Sequence, residues 1–566
     1  MNNEWVVRDE IPAAGRDQLS RWGDEPLLQQ LFWNQKLRSE EQALAFVRRE
    51  FSHESDPFQL AGMDAAVERI LSALDARERI AVYGDYDVDG VTATVLMLEL
   101  LQAFGADVCP YLPLREQGYG LHNTALERLH AEGVRLVITV DCGVSALEQA
   151  EYARTLGIDL IISDHHHVGE VLPSAVAVIN PKRNDCSYPE QMLCAAGIAY
   201  KIAAALLERR TPSQPGILAD NFLDLVALGT VADLAPLRGE NRAMVYRGLI
   251  QLNANPRPGV TALLRAAGCT GPVSARTIGF QLGPRLNSAG RLGSAMDAFR
   301  LLTTQKREEA AHLARELHEC NRERQTLTQK ISERALEIAL EQAGEDKPSI
   351  LLAEHADFHS GVVGLAASRL CEQRRIPALV AQSKDGLITG SARSVPKFHI
   401  AEALLQCADL LLQHGGHAAA AGFTLEQENW ARFVGRMREI ATEQLSDEDL
   451  SPQLVIDASV RSSELTSRLA EQLEYFEPHG HKNPTPLLLW RGAEVSEKRA
   501  VGKNNAHLKL RMRTDNGSQL DAIGFWLGDR LAQLPVKVDL VFAFEKDEWQ
   551  GRERQQLNLK DVRAAV

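Results

Sequence analysis

The chain has 566 residues, with 76 acidic against 62 basic side chains and a formal net charge of −14. That length leaves room for roughly three or four domains, each able to bury its own core, and the negative balance excludes a protein that coats nucleic acid or anionic membrane with its whole surface, so any nucleic-acid site must be local. Eight cysteines without a C-x-x-C pair exclude a zinc ribbon or a disulfide framework and fit a reducing compartment.

The first residues hold no basic stretch followed by an apolar one, and no apolar run reaches membrane-spanning length. A soluble cytoplasmic protein without a membrane partner is expected. Residues 1–50 are polar with intermittent Leu27, Leu28, Leu31, Phe32 and Leu37, which predicts short helices and carries no chemistry. From Ile80 the pattern changes. Strand-length apolar runs at 80–83, 107–111, 136–140 and 159–163 alternate with helical stretches at 91–104, 125–131 and 146–156, the pattern of a parallel α/β sheet.

Ligands of such sheets bind beyond the carboxyl ends of the strands, and there the acidic and imidazole residues collect. Asp85, Asp87 and Asp89 follow the first strand, Asp141 the third, and Asp164-His165-His166 the fourth, while Asp233 follows the apolar stretch 222–228. Neither glycine nor proline occurs between Gly293 and Gly344, where Ala310, Leu313, Leu317, Leu327, Ile331, Ala335 and Ile338 predict one long amphipathic helix. A second α/β region runs from 349 to about 445 and carries two glycine-rich stretches, 359–364 and 414–422. An acidic, loop-like 446–449 precedes short strands at 487–490, 507–514, 520–525, 538–544 and 556–559, the pattern of a small barrel or sandwich.

Three carboxylates within five residues repel one another unless a cation neutralises them. A single aspartate after a strand is more often a helix N-cap than a ligand, but three in one loop, with paired histidines at another strand end, point to metal. Carboxylates and imidazoles converging from several strands match a two-metal phosphoesterase centre with ions ~3.5–4 Å apart. Mixed oxygen and nitrogen ligands favour Mn²⁺ over Mg²⁺ or Zn²⁺. In 507–513 leucine, leucine and methionine alternate with Lys509, Arg511 and Arg513, which gives either a cationic face for a single strand or a soluble edge strand.

The runs Asp85-Tyr86-Asp87-Val88-Asp89-Gly90, Val140-Asp141-Cys142-Gly143, Asp164-His165-His166 and Gly229-Thr230-Val231-Ala232-Asp233 resemble the four motifs of the DHH phosphoesterase superfamily. Pro284-Arg285-Leu286-Asn287-Ser288-Ala289-Gly290-Arg291, Gly361 to Arg369 and Gly415-Gly416-His417 resemble signatures of its single-strand-specific exonuclease branch. The resemblance implies metal binding by Asp87, Asp89, Asp141, His165 and Asp233, with Asp85 and His166 in or directly behind the ligand set. It makes Asp141 the bridging ligand between two ions, served respectively by Asp87 and Asp89, with Asp141, His166 and Asp85 at the catalytic step. Some relatives have a histidine where this chain has Tyr83, and Asp85 is expected to substitute for it. In 477–484 many relatives carry an aromatic at the position of His479 and glycine at that of Lys482.

Arg115, Arg285, Asn287, Arg291, Ser391, Arg393, Gly416 and His417 are expected phosphate or DNA contacts, joined by Lys509, Arg511 and Arg513 of the terminal β region. For Gly415-Gly416 a tight turn is the competing reading. The implied architecture is α/β: a helical extension (1–50), a parallel-sheet DHH domain (51–300), a long connecting helix (301–345), a second smaller α/β domain of DHHA1 type (346–447) and a C-terminal β-barrel, an OB-fold (448–566). The implied activity is a Mn²⁺- or Mg²⁺-dependent 5′→3′ exonuclease on single-stranded DNA, a monomer in DNA repair and recombination, with a single-stranded-DNA-binding protein and a helicase as further partners. A DHH hydrolase of small substrates and a non-catalytic DNA-binding module are the alternatives. The extra β domain argues against the first, and the intact set of acidic and imidazole residues against the second.

Overall fold

The computed structural model describes residues 3–49, 55–344, 348–446, 453–549 and 552–565. The expected linker residues 447–449, and the expected domain limits near 50, 345 and 447, lie outside them.

Five parallel strands form the first sheet: β2 (Arg79–Tyr83), β3 (Val108–Tyr111), β4 (Val134–Val140), β5 (Asp159–Ser163) and β6 (Ala177–Ile179), in the order β3-β2-β4-β5-β6. Helices cover both faces, so β4 reads as an almost unbroken apolar run with only Arg135 exposed. The helix Val88–Ala103 leaves β2 and is buried nearly all round. β6 was not expected; three residues of Ala-Val-Ile are too short to stand out as a strand pattern.

Two expectations change. The apolar stretch 222–228 is not a strand but opens the helix Leu223–Ala232, buried on almost every side and followed by Asp233 as its C-cap. A fully buried helix shows no amphipathic period, which is why its apolar run resembles a strand. The long helix is also divided. Ala295–Thr303 is a separate helix, and the connecting helix is Arg307–Ala343, some 55 Å at ~1.5 Å per residue. The break comes from Thr304, whose hydroxyl donates to Glu309 Oε2 at 2.7 Å and accepts the Lys306 N–H at 3.2 Å. A threonine bonding its own backbone neighbourhood interrupts a helix without any glycine or proline.

Beyond it lies a mixed sheet of β7 (Leu351–His355), β8 (Ala378–Lys384), β9 (Leu387–Arg393), β10 (Gln413–Gly416) and β11 (Ala420–Glu426), ordered β10-β11-β9-β8-β7. Only β7 and β8 pair in parallel. The C-terminal strands β14 (Leu488–Val501), β15 (His507–Arg513), β16 (Gln519–Gly524), β17 (Lys537–Trp549) and β18 (Arg552–Ala564) pair in the order β14-β15-β16-β18-β17, and β17 returns to β14, closing a five-stranded barrel. Leu508, Leu510, Met512, Leu540 and Phe542 fill it.

The N-terminal extension is not helical throughout. β1 (Glu4–Val7) pairs in parallel with β12 (Gln453–Ile456), while β13 (Ala458–Ser459) joins the barrel beside β14. Leu28, Leu31 and Phe32, from the helix Pro26–Asn34, enter the same apolar cluster as the barrel, with Phe32 stacked on Phe476 at 5.3 Å. The chain's two ends are thus one packed unit.

Candidate metal centre and nucleic-acid interface

The loop leaving β2 is held by close backbone approach. A Cβ on Gly90 would lie 2.6 Å from the Asp85 nitrogen, and one on Gly229 would lie 2.6 Å from Asp89 Oδ1. Asp87 is the N-cap of the helix Val88–Ala103, its Oδ1 accepting the Gly90 N–H at 3.1 Å. Cap and ligand are therefore compatible roles, because the second oxygen stays available. Asp89 is buried and accepts the N–H groups of Ala195 at 2.6 Å and Ala196 at 2.9 Å, where the helix Ala195–Arg209 begins and its dipole favours negative charge.

Asp141 directly follows β4 with φ +69°, a left-handed conformation rare for a residue with a side chain. Its Oδ1 is 3.0 Å from His165 Nε2, which is also 3.8 Å from Asp89 Oδ2, while His165 Nδ1 is 3.9 Å from Asp233 Oδ2. Ligand atoms within 4.8 Å of one another form three overlapping groups: Asp85, Asp87 and Asp141; Asp141, His165 and His166; Asp89, His165 and Asp233. Asp87 and Asp89 fall in different groups. Tyr83 is turned away from all three, stacked on Tyr111 at 4.7 Å and donating its hydroxyl to the Gly120 carbonyl, whereas Asp85 faces Asp87 and Asp141.

The electrostatics of this cluster fit divalent cations. Burial, reinforced by the Asp87 charge, pushes the Asp85 carboxyl up to about 7 and that of Asp89 up to about 6. Burial and the Asp89 and Asp87 charges raise Asp233 to about 8, and Asp141 goes well above the usual carboxylate range for the same reasons. Burial and the neighbouring His166 lower His165 to about 3, so its imidazole is neutral and able to ligate. Asp85 Oδ1 is buried without a hydrogen-bond partner. Carboxylates packed this closely cannot all ionise without a cation, and a cation is what would take up the orphaned oxygen.

Asp164 plays a different part. Fully buried, it accepts from the backbone N–H of Val144, His165 and His166 and from His166 Nδ1 at 2.7 Å, leaving no room for an ion. It fixes the His166 ring, so Nε2 is the nitrogen left free to act. Tyr119 Oη lies 2.9 Å from the same Nδ1 and donates to the Asp141 carbonyl, and Lys182 Nζ donates to the His165 carbonyl. Sequence reasoning missed Tyr119 and Lys182. The only signal for Tyr119 is its place between Gly118 and Gly120, both with positive φ.

Facing the centre is a cluster of guanidiniums. Arg115 lies over the Tyr86 ring at 4.3 Å and donates to the Gly290 carbonyl, and Arg291 donates to the Gly361 carbonyl. Burial and the nearby charges of Arg115 and Arg324 pull Arg291 down to about 10, with Arg393 adding to the effect. Among the described residues none of Arg115, Arg291 and Arg393 forms an ion pair, so the cluster carries positive charge that no carboxylate pairs. Arg324, on the connecting helix, was missed; nothing in that helix's pattern separates it from the solvated arginines around it. Ser391 and Arg393 lie against Gly364, where a Cβ would come within 3.2 Å of Arg393 Nη2 and Ser391 Oγ. Pairing of β9 with β11 sets Ala420 opposite Arg393, bringing the exposed turn at Gly416 and His417 to the same end of the sheet. That turn is tight, with His417 N–H donating to the Ala420 carbonyl at 2.8 Å.

The remaining expected contacts are engaged elsewhere. Asn287 Oδ1 accepts the Val88 N–H, which tethers the metal-binding loop to the helix Gly283–Leu292. Arg285 donates to the Gln281 carbonyl and to His318. On the barrel, Lys509, Arg511 and Arg513 do share one face, but each meets a carboxylate: Asp521 at 3.9 Å, Glu497 at 2.9 Å and Glu494 at 3.1 Å. Strand register decides this, setting Glu497 opposite Arg511 and Glu494 opposite Arg513. What the barrel exposes instead is aromatic. Phe525 is 54% and Trp526 79% exposed, both edge-on to His507, and Trp526 has φ +62°.

Residues 79–230 match the DHH family N-terminal domain, 347–443 the DHHA1 domain and 456–561 the RecJ OB domain. The chain is 38% identical over 566 residues to the single-stranded-DNA-specific exonuclease RecJ of Bacillus subtilis, covering 98% of this chain and 71% of the relative. It is 35% identical to the RecJ of Escherichia coli, covering 95% and 96%. The crystal structure of RecJ from Thermus thermophilus in complex with Mn²⁺ superimposes with a TM-score of 0.84 at 30% identity, over 100% of this chain and 80% of that one, and the Mg²⁺ complex with a TM-score of 0.79 at 29% identity, over 100% and 79%. With its acidic and imidazole groups placed to hold divalent ions, its barrel closed, and its sequence aligned nearly end to end, this chain belongs to the RecJ family of DHH phosphoesterases.

Proposed function

We propose that this chain is an exonuclease that hydrolyses the phosphodiester bonds of single-stranded DNA in the 5′→3′ direction, with Mn²⁺ or Mg²⁺ as its metal. The observation that carries the reading is the sharing of Asp141 and His165 among three overlapping groups of ligand atoms. Two divalent ions held there would activate a bridging water and neutralise the charge that develops on phosphorus-bound oxygens.

The chain's own residues do the rest. Asp164 and Tyr119 hold His166 so that its Nε2 faces the reacting phosphate. Arg115, Arg291 and Arg393 take the terminal 5′-phosphate, whose extra negative charge relative to a diester makes an unneutralised guanidinium cluster select a chain end. Ser391 and the turn at Gly416 and His417 supply further donors to that phosphate. Bases leaving the cleft stack on Phe525 and Trp526, which is sequence-tolerant because every base has a π-face.

In this reading the protein acts as a cytoplasmic monomer in DNA repair and recombination, on strands made available by a helicase and covered by a single-stranded-DNA-binding protein. The test is release of mononucleotides from a 5′-phosphorylated single strand with Mn²⁺ present. Failure to release them, or an Asp141→Ala variant that retains the wild-type rate, overturns the proposal.

A further inference from the structure

A second concavity lies apart from the metal centre. It is a cavity of about 1330 Å³ on the other side of the DHH domain, walled by the C-terminal half of the helix Val88–Ala103, the start of Leu223–Ala232, the helix Pro258–Ala266 and the first turns of the connecting helix. Glu99 in its wall is ten residues, or ~15 Å of helix, from Asp89 at the metal centre.

Its polar groups are built in. Arg257 binds Glu99 with both terminal nitrogens, at 2.6 and 3.0 Å, and Asp224 Oδ2 through Nε at 2.6 Å. Asp224 is only 3% exposed, and its second oxygen, Oδ1, has no hydrogen-bond partner. A buried carboxylate oxygen left unpaired is costly, the more so when charged, so it awaits a donor. Arg265, Arg307 and Arg315 line the same cavity, are exposed, and form no ion pair among the described residues. The four guanidiniums outnumber the two carboxylates by two, in a chain whose net charge is −14.

We infer that this cavity is a second ligand site, for a nucleoside monophosphate. Two excess positive charges match a phosphate monoester dianion, and guanidiniums pair with its oxygens in bidentate fashion. The acceptor at Asp224 matches an amino or hydroxyl group at the nucleoside end. The volume exceeds what one nucleotide fills and leaves room for the water such polar walls retain. The site uses no residue of the metal centre and stands independently of the exonuclease reading.

Titration calorimetry of the full chain with dAMP, in chelator so that no metal contributes, tests the inference. The expected result is two classes of site. Arg265→Ala/Arg307→Ala weakens one class at least tenfold and leaves the rate on a single-stranded oligonucleotide unchanged, whereas Arg393→Ala affects only the other class. Both cavity arginines are exposed, so folding is not at stake. Wild-type stoichiometry and affinity in the double variant overturn the inference. So does saturation of the cavity class by inorganic phosphate, or by deoxyadenosine alone, as tightly as by dAMP. Because the readout is binding, it holds whether or not the chain degrades DNA.

Discussion

Replacing Asp164 by asparagine isolates the contribution of a residue that orients the centre without joining it. The wild-type carboxylate accepts four hydrogen bonds, three on Oδ1 and one from the Val144 N–H on Oδ2 at 2.9 Å. Asparagine has one acceptor oxygen. If that oxygen takes the three donors of the His165-His166 turn, the amide NH₂ confronts the Val144 N–H, and one buried donor loses its partner. That costs about 1–3 kcal/mol, and loss of the charge weakens the three remaining bonds, since hydrogen bonds to an ionised acceptor contribute about 1.5–3 kcal/mol against ~1 kcal/mol for neutral ones. A stability loss of about 2.5 kcal/mol or more is expected, read by urea unfolding in chelator. The functional cost is separate: groups that orient metal ligands typically contribute 10–100-fold in metal affinity or activity. Single-turnover hydrolysis of a 5′-phosphorylated oligonucleotide at saturating Mn²⁺ should fall by that factor in the folded fraction. An Asp164→Asn enzyme whose folded fraction is as fast as the wild type would refute the assignment, because the alternative, a plain helix-cap aspartate, predicts stability loss alone.

Further outcomes follow from the same geometry. Asp85→Asn should weaken Mn²⁺ binding less than Asp87→Asn, because the Asp85 carboxyl, raised to about 7, is half-protonated near neutrality before metal enters; metal titration with the reverse ranking would overturn this. Adding Mn²⁺ to chelated protein should raise the melting temperature by relieving carboxylate repulsion, and the increase should vanish in Asp141→Ala. Trp526→Ala should weaken binding of a long single strand by roughly 5- to 150-fold, from ~1–3 kcal/mol per stacked base, while leaving the hydrolysis of a dinucleotide unchanged. His479, whose Nδ1 is buried without a partner, is pushed down to about 4 by burial and by Arg242. Its unfolded-state value near 6.5 is higher, so the unfolded chain binds the extra proton first and stability falls as pH drops from about 6.5 to about 4, by up to ~3 kcal/mol. His479→Phe should flatten that segment of the stability–pH curve, and an unchanged slope would remove His479 as its cause.

Much of the centre was legible because its residues lie in short runs at strand ends. A strand followed by a tight turn delivers side chains to one edge whatever else the chain does, so Asp85, Asp87, Asp141 and His165 could be placed from local pattern alone. Asp233 was legible as a residue but not in its support, a helix whose complete burial erased its period. The departure at Lys482 also has a local meaning: the residue sits at φ +58°, where the glycine expected from relatives carries no side-chain penalty.

The sequence by itself determined the parallel sheet, the acidic cluster and the alternation of β15, because periods of 2 and 3.6 and like-charge density are properties of neighbours along the chain. Only the tertiary structure decided what opposes those residues. Strand register placed Glu494 and Glu497 against the barrel's arginines and left Phe525 and Trp526 as its exposed face. Domain packing gathered Arg115, Arg291, Arg324 and Arg393 from four separate stretches into one guanidinium cluster, and closed the N-terminal helices onto the C-terminal barrel. These contacts join residues from 14 positions apart, Glu497 and Arg511, to more than 400, Phe32 and Phe476, and they are fixed by burial and by the cost of leaving charge unpaired. No local period carries them.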